Sequence, residues 1–199
     1  MNHLRDLKET SNIPAAAKAR KEKEQKLPRR RQIAYERAMP IGILEDIAAS
    51  LPPGARLLGL DLGTKTIGLA VSDSARTVAT PLGTIRRTKF TKDIEELIRF
   101  IRDYDIGGYV FGWPLNMDGT PGPRCDATRS FADELTKYPQ VVGKNPWMAL
   151  WDERLSTAVV EDFLVETVDM SRTKRKQVVD KLAAQHILQG ALDYLAAHA

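Results

Sequence analysis

The spacing of apolar residues changes at Pro52-Pro53-Gly54. Before it, Ile41, Leu44, Ile47, Ala48 and Leu51 recur at helical spacing, which predicts a short amphipathic helix over 41–51. The Pro-Pro-Gly run stops that helix and marks a domain boundary. From Arg56 the pattern becomes that of strands, predicted at 56–62, 66–73 and 77–86. The short turn Gly63-Thr64-Lys65 makes the first two antiparallel. Helical period returns with Ile94, Leu97, Ile98 and Ile101, giving a helix from Thr91 to Tyr104 with Thr91 as its N-cap. A buried strand follows at Tyr109-Val110-Phe111, then a Gly/Pro-rich loop from Gly112 to Pro123. The remaining pattern predicts a helix over 124–137, a strand from Trp147 to Trp151, and a helix from Ser156 or Thr157 to about Glu166. A loop from Thr167 to Thr173 and a helix from Lys174 to Ala197 complete it. Three meandering strands followed by alternating helices and strands define an α/β chain, with a mixed sheet between helices. The later strands, joined through helices, run parallel to the first.

Charge divides the chain in the same place. The net charge of +4 conceals a leader, residues 1–40, with 11 Lys/Arg against 5 Asp/Glu. The other 159 residues carry 19 against 21, so the basic character belongs to the leader. The stretch from Lys18 to Arg31 is nearly free of apolar residues and cannot bury enough surface to offset its ordering entropy. It reads either as a solvated tail or as an arm that attracts a polyanion such as RNA. A single cysteine, Cys125, rules out an internal disulfide and suits a reducing compartment. No apolar run approaches the ~18 residues of a membrane span, and the expected location is cytoplasmic.

The candidate chemistry lies in acids with apolar neighbours. Asp61 ends the run Leu57-Leu58-Gly59-Leu60, where an unpartnered carboxylate would be costly. Asp180 shares a helix face with Ala183, Ala184, Ile187, Leu188, Ala191 and Leu195. Lys181, Gln185, His186, Gln189 and Asp193 fall on the opposite face. Asp180 is therefore a ligand or a paired structural charge. Glu153 follows the strand Trp147–Trp151 and, on spacing alone, fits a surface turn equally well. Taken together, the three acids form a hard oxygen donor set suited to Mg²⁺ or Mn²⁺. Isolated histidines and the lone cysteine argue against zinc. Asn116, in the loop after the buried strand, could contact phosphate or sugar oxygens. Lys65 and Arg154 flank the acids and could neutralise phosphates, although Lys65 reads equally as a solvated turn lysine.

Four segments carry a resemblance. They are Asp61-Leu62-Gly63-Thr64-Lys65-Thr66-Ile67-Gly68-Leu69-Ala70-Val71-Ser72-Asp73, Gly112-Trp113-Pro114-Leu115-Asn116-Met117-Asp118-Gly119, Asp152-Glu153-Arg154-Leu155-Ser156-Thr157 and Asp180-Lys181-Leu182-Ala183-Ala184-Gln185-His186-Ile187-Leu188-Gln189. In that order they resemble the YqgF/RuvX family of Holliday-junction-resolvase-like, pre-16S ribosomal RNA nucleases, over about 56–197. Ser156 and Trp113 depart from the residues common there. The resemblance implies an RNase H-like fold with a mixed five-stranded sheet in residues 55–199, preceded by a basic extension over 1–54. It implies a divalent-metal nuclease acting on structured nucleic acid, with the family's acidic positions on Asp61, Glu153 and Asp180. Asp61 would bridge a metal pair and the other two would each complete a shell. Precursor 16S ribosomal RNA is the expected substrate. Branched DNA, as for a junction resolvase, and a non-catalytic nucleic-acid-binding role are the alternatives. An ATP-binding protein of the actin type shares the Asp-x-Gly-Thr turn but needs two such domains.

If the leader is an RNA arm, its contribution is electrostatic. Deleting residues 1–40 should then weaken binding about equally for unrelated RNA sequences and flatten the slope of log affinity against log salt. Turnover at saturating substrate should hardly change. Titrations of both proteins at several salt concentrations check this, and identical slopes would show that the arm does not touch RNA.

Overall fold

The computed structural model describes residues 41–155 and 172–198. Its elements are β1 (Ile41–Ile43), α1 (Leu44–Ile47), a 3-10 turn (Ala48–Ser50), β2 (Arg56–Leu62), β3 (Thr66–Ser72) and β4 (Ala79–Arg86). Then come α2 (Phe90–Asp103), β5 (Ile106–Trp113), α3 (Pro123–Thr136), α4 (Pro139–Val142), β6 (Trp147–Asp152), a 3-10 turn (Glu153–Leu155) and α5 (Arg172–Ala197). The leader 1–40 and the helix expected from Ser156 or Thr157 to Glu166 lie outside the described residues. Of the loop expected over Thr167–Thr173, the described end, Arg172 and Thr173, is already helical.

The strands order as β1-β6-β5-β2-β3-β4. β2, β3 and β4 pair antiparallel, while β5 runs parallel to β2 and β6 parallel to β5. An antiparallel meander continued by parallel strands on the far side of its first strand is the RNase H-like arrangement. Among the described residues the sheet has six strands rather than five. Residues 41–43, expected to be helical, form β1 and pair in parallel with Met148–Leu150 of β6. The reason lies at the sheet edge. Without β1, the buried strand β6 would leave a row of backbone donors and acceptors unpaired. Helix begins only at Leu44, whose side chain is fully buried. The start of α2 also differs. Its N-cap is Lys89, and the buried Asp93 carboxylate accepts hydrogen bonds from the Thr88 N–H and hydroxyl.

Side chains alternate across the sheet into two cores. Leu58, Leu60, Tyr109, Phe111, Met148 and Leu150 point to the side where Ile94, Leu97, Phe131 and Leu135 of α2 and α3 pack. Leu57, Ala70, Val110, Ala149 and Trp151 point to the other side, against Ala184, Ile187, Leu188, Ala191 and Leu192 of α5. The apolar face read for α5 is thus the face that meets the sheet. Its polar flank is used as well. The Gln185 side chain donates to the Ala79 carbonyl, and the Gln189 side chain accepts from the Ala79 N–H and donates to the Thr77 carbonyl.

α5 sits close because small residues meet it. A Cβ on Gly59 would lie 2.7 Å from the Leu188 Cβ and 2.9 Å from the Ala184 carbonyl oxygen. One on Gly68 would run into the Asp180 carbonyl oxygen. Gly59→Ala should therefore destabilise the fold by about 1–3 kcal/mol through overpacking. Urea unfolding of the variant measures this, and an unchanged midpoint would show that α5 can back away freely.

Candidate active site

The strand register explains how residues 61, 153 and 180 come together. Asp61 lies on the same face of β2 as Gly59 and Leu57, the face covered by α5. It pairs directly with Gly68 of β3, and the Asp180 backbone rests on Gly68. On its other side, one position beyond the Leu60–Phe111 pair, is Gly112 of β5. A Cβ on Gly112 would strike the Glu153 Oε1 and would lie 2.6 Å from the Ile187 Cδ1. Glu153 begins the 3-10 turn at the end of β6, which pairs with β5 through Gly112–Trp151 and Trp113–Asp152. The acids therefore occupy one row across the strand ends, with Asp61 between Asp180 and Glu153.

Their charges act on each other. Burial, and then the Asp180 charge, push the Asp61 carboxyl up to about 6. Burial, and then the Asp61 charge, push Glu153 up to about 7. The Arg124 guanidinium opposes both shifts. Asp180 Oδ2 is buried and accepts no hydrogen bond among the described residues. Such an orphaned carboxylate oxygen costs free energy unless a cation or donor meets it. Oxygen donors alone, one of them orphaned, on glycine floors that admit no side chain, fit a hard divalent cation. Among the described residues no group of three acidic, His or Cys side chains is placed to hold a metal ion.

The other expected site residues are placed less closely. Lys65 is exposed in the turn after β2, which Arg87 braces by donating to the Gly63 carbonyl through its side chain and to the Lys65 carbonyl through its N–H. Arg154 forms an ion pair with Asp152 at 2.7 Å and leans toward Gly119 of the long loop. Asn116 is exposed, and its amide nitrogen donates to the Thr120 hydroxyl, so its side chain helps shape the loop. Sequence reasoning missed Arg124. It sits in the first turn of α3, where the helix dipole disfavours a cation. That misfit was the available signal.

The family profile described as "RuvX: Holliday junction resolvase" matches residues 55–194. The chain belongs to this family. It is a nuclease by that membership. A "Putative pre-16S rRNA nuclease" of Rhodospirillum centenum is 57% identical over 157 residues, covering 79% of this chain and 83% of that one. The protein of the same name from Rhodospirillum rubrum is 52% identical, covering 79% and 94%. Among solved structures, Thermus thermophilus RuvC bound to a Holliday junction covers 70% of this chain and 94% of its own, at 10% identity and a TM-score of 0.42. So loose a likeness adds nothing to what the strand order shows.

The raised acids predict how stability depends on pH. Asp61 and Glu153 bind protons more tightly in the folded chain than in the unfolded one, where 3.8 and 4.5 apply. Their contribution is complete below about pH 4 and is lost as pH rises through about 6 and about 7. Metal-free protein should therefore lose roughly 1–3 kcal/mol of stability between about pH 5 and pH 8. The double variant Asp61→Asn, Glu153→Gln should show a much flatter profile. Denaturant unfolding in EDTA across that range measures both.

Proposed function

We propose that this protein is a cytoplasmic, divalent-metal-dependent endonuclease that processes the 5′ end of precursor 16S ribosomal RNA. In this reading the nuclease domain over residues 55–199 is completed by β1 and α1 of residues 41–47, and the basic extension precedes them in the sequence. Asp61, Glu153 and Asp180 hold Mg²⁺ or Mn²⁺. The observation that carries the reading is the row of mutually repelling, desolvated acids that ends at the orphaned Asp180 Oδ2. Nucleases and resolvases of this family generally depend on a divalent metal, and the names of the curated relatives favour ribosomal RNA as the substrate.

The bound ion would supply Lewis acidity, activating water and stabilising charge on the reacting phosphate. The chain's own residues do the rest. Asp61, between the other two acids, sets the position of the donor row. Glu153 is held over Gly112, where nothing larger than hydrogen fits beneath its carboxylate. Arg124 offsets the negative charge of Asp61 and Glu153 and is exposed, so it can also meet a substrate phosphate. Lys65 and Arg154 are additional phosphate contacts on either side.

A second reading, cleavage of branched DNA, is favoured by the description of the family profile. One experiment separates them. Labelled precursor 16S RNA and a four-way DNA junction are each incubated with the protein and Mg²⁺, alongside Asp61→Asn. We expect cleavage of the RNA at defined positions, reduced to background in Asp61→Asn while its circular dichroism is unchanged. Cleavage of the junction alone would move the protein to the resolvase reading. Cleavage undiminished in Asp61→Asn would remove Asp61 from the site.

A further inference from the structure

Met117 is 94% exposed, against 56% for Val78 and 39% for Ile43, the other exposed large apolar residues among those described. It stands at the tip of the loop between β5 and α3. A single surface methionine ordinarily needs no explanation. The loop that carries this one is built to hold it out. The Asn116 N–H donates to the Thr120 carbonyl and the Gly119 N–H to the Asn116 carbonyl. The Asn116 side chain donates to the Thr120 hydroxyl, and that hydroxyl and the Thr120 N–H both donate to Asp118 Oδ1. Gly119 takes a φ of +84°, which few other residues would accept. At the loop's base, the Cys125 thiol donates to the Pro114 carbonyl. Partly buried Pro114 and Leu115 belong to the same loop and follow partly buried Trp113 at the end of β5. Folding Met117 back onto them would gain up to about 1.5–3 kcal/mol, and the hydrogen-bonded tip forgoes it.

The tip also meets Arg154. A Cβ on Gly119 would be 3.4 Å from Arg154 Nη1, and Arg154 follows Glu153 directly. An apolar, polarisable side chain therefore projects from a loop that begins at Gly112 beside Glu153 and ends near Arg124, whose charge acts on Asp61 and Glu153.

We propose that Met117 is a positioning residue that stacks against the last base pair of an RNA stem where the stem opens into single strand, and so selects the phosphate presented to Asp61 and Glu153. The proposal rests on the nuclease reading and deepens it by naming the substrate feature recognised. Base faces are accessible only where stacking ends. Inserting a side chain inside continuous duplex costs a few kcal/mol per opened step, whereas a stem end offers a free face. A thioether suits that face because it is soft and adapts its shape. The neighbouring Arg154 and Arg124 meet phosphates on either side.

The test uses the full chain carrying Asp61→Asn, so that binding is read without cleavage. The probes are an RNA stem with a single-stranded overhang, 2-aminopurine replacing the terminal stem base, and an uninterrupted RNA duplex. With Met117 present, binding should change the 2-aminopurine fluorescence, and the stem–overhang RNA should bind more tightly than the duplex. Adding Met117→Ala should weaken stem–overhang binding by about 5- to 100-fold and remove the fluorescence change. Duplex affinity and melting temperature should stay the same, since the side chain touches solvent. Met117→Leu should retain most of the effect. In otherwise unaltered protein, Met117→Ala should spread cleavage over neighbouring phosphates. Unchanged fluorescence and affinity in Met117→Ala, or an equal loss on stem–overhang and duplex, would overturn the wedge and leave the nuclease reading standing. Failure of the Met117-containing protein to bind any RNA would overturn both.

Discussion

The seating of α5 on glycines of three adjacent strands is the contact on which the rest depends. Gly59 and Gly68 let the helix backbone approach the sheet at Ala184 and Asp180, and Gly112 makes room for Ile187 and Glu153. All three glycines face the same way, so together they set the height of the helix above the strand ends. A methyl group on any of them would push against backbone or packed side chains, and the helix would have to lift or tilt. Because Gly68 is the register partner of Asp61, the contact that packs the core also brings Asp180 beside Asp61. The site is therefore part of the second hydrophobic core, and its geometry is as rigid as that core.

That rigidity has an electrostatic consequence. Three acids held at one end of a packed sheet cannot move apart to relieve their repulsion. The fold contains it partly by proton uptake, seen in the raised positions of Asp61 and Glu153, and partly through Arg124. Arg124 itself stands where its own helix dipole repels it. Two unfavourable placements, acids out of water and a cation at a helix N-terminus, offset each other across the strand ends. Raised carboxylates gathered at one place are a pattern that catalytic sites commonly show.

Much of this was legible in the sequence because the signals were local. The run Leu57–Leu60 and the turn at Gly63 specified the β2–β3 pair, and the helical period around Ala184, Ile187, Leu188 and Ala191 identified the buried face of α5 and placed Asp180 on it. Glu153 was ambiguous alone, since nothing in Asp152-Glu153-Arg154 tells a surface turn from a site. Only the register of β6 on β5, a contact between residues about 40 apart, puts it over Gly112. β1 was missed for a related reason. Ile41, Leu44 and Ile47 fit a helix by spacing, and the need of β6 for a partner at its edge overrides that spacing. Arg124 was missed because its importance comes from two carboxylates far away in sequence. The sequence shows which residues are unusual in their own segments, and the pairing of distant strands decides which of those meet.

If Asp61 and Glu153 hold the proposed ion, the same arrangement ties its binding to protons. A carboxylate must be ionised to hold a cation, so each proton that Asp61 or Glu153 carries has to leave as an ion enters. With positions near 6 and 7, an ion held there would compete with protons across the neutral range, and its apparent affinity would fall as the solution became mildly acidic. Beyond the larger effect of burial, Asp61 is linked to both other acids: its charge raises Glu153, and the Asp180 charge raises Asp61. Neutralising one acid therefore eases the ionisation of its neighbour. A cation that meets Asp61 relieves the repulsion on both sides at once, which is why the central acid of the row, more than either end, sets the electrostatics of the whole site.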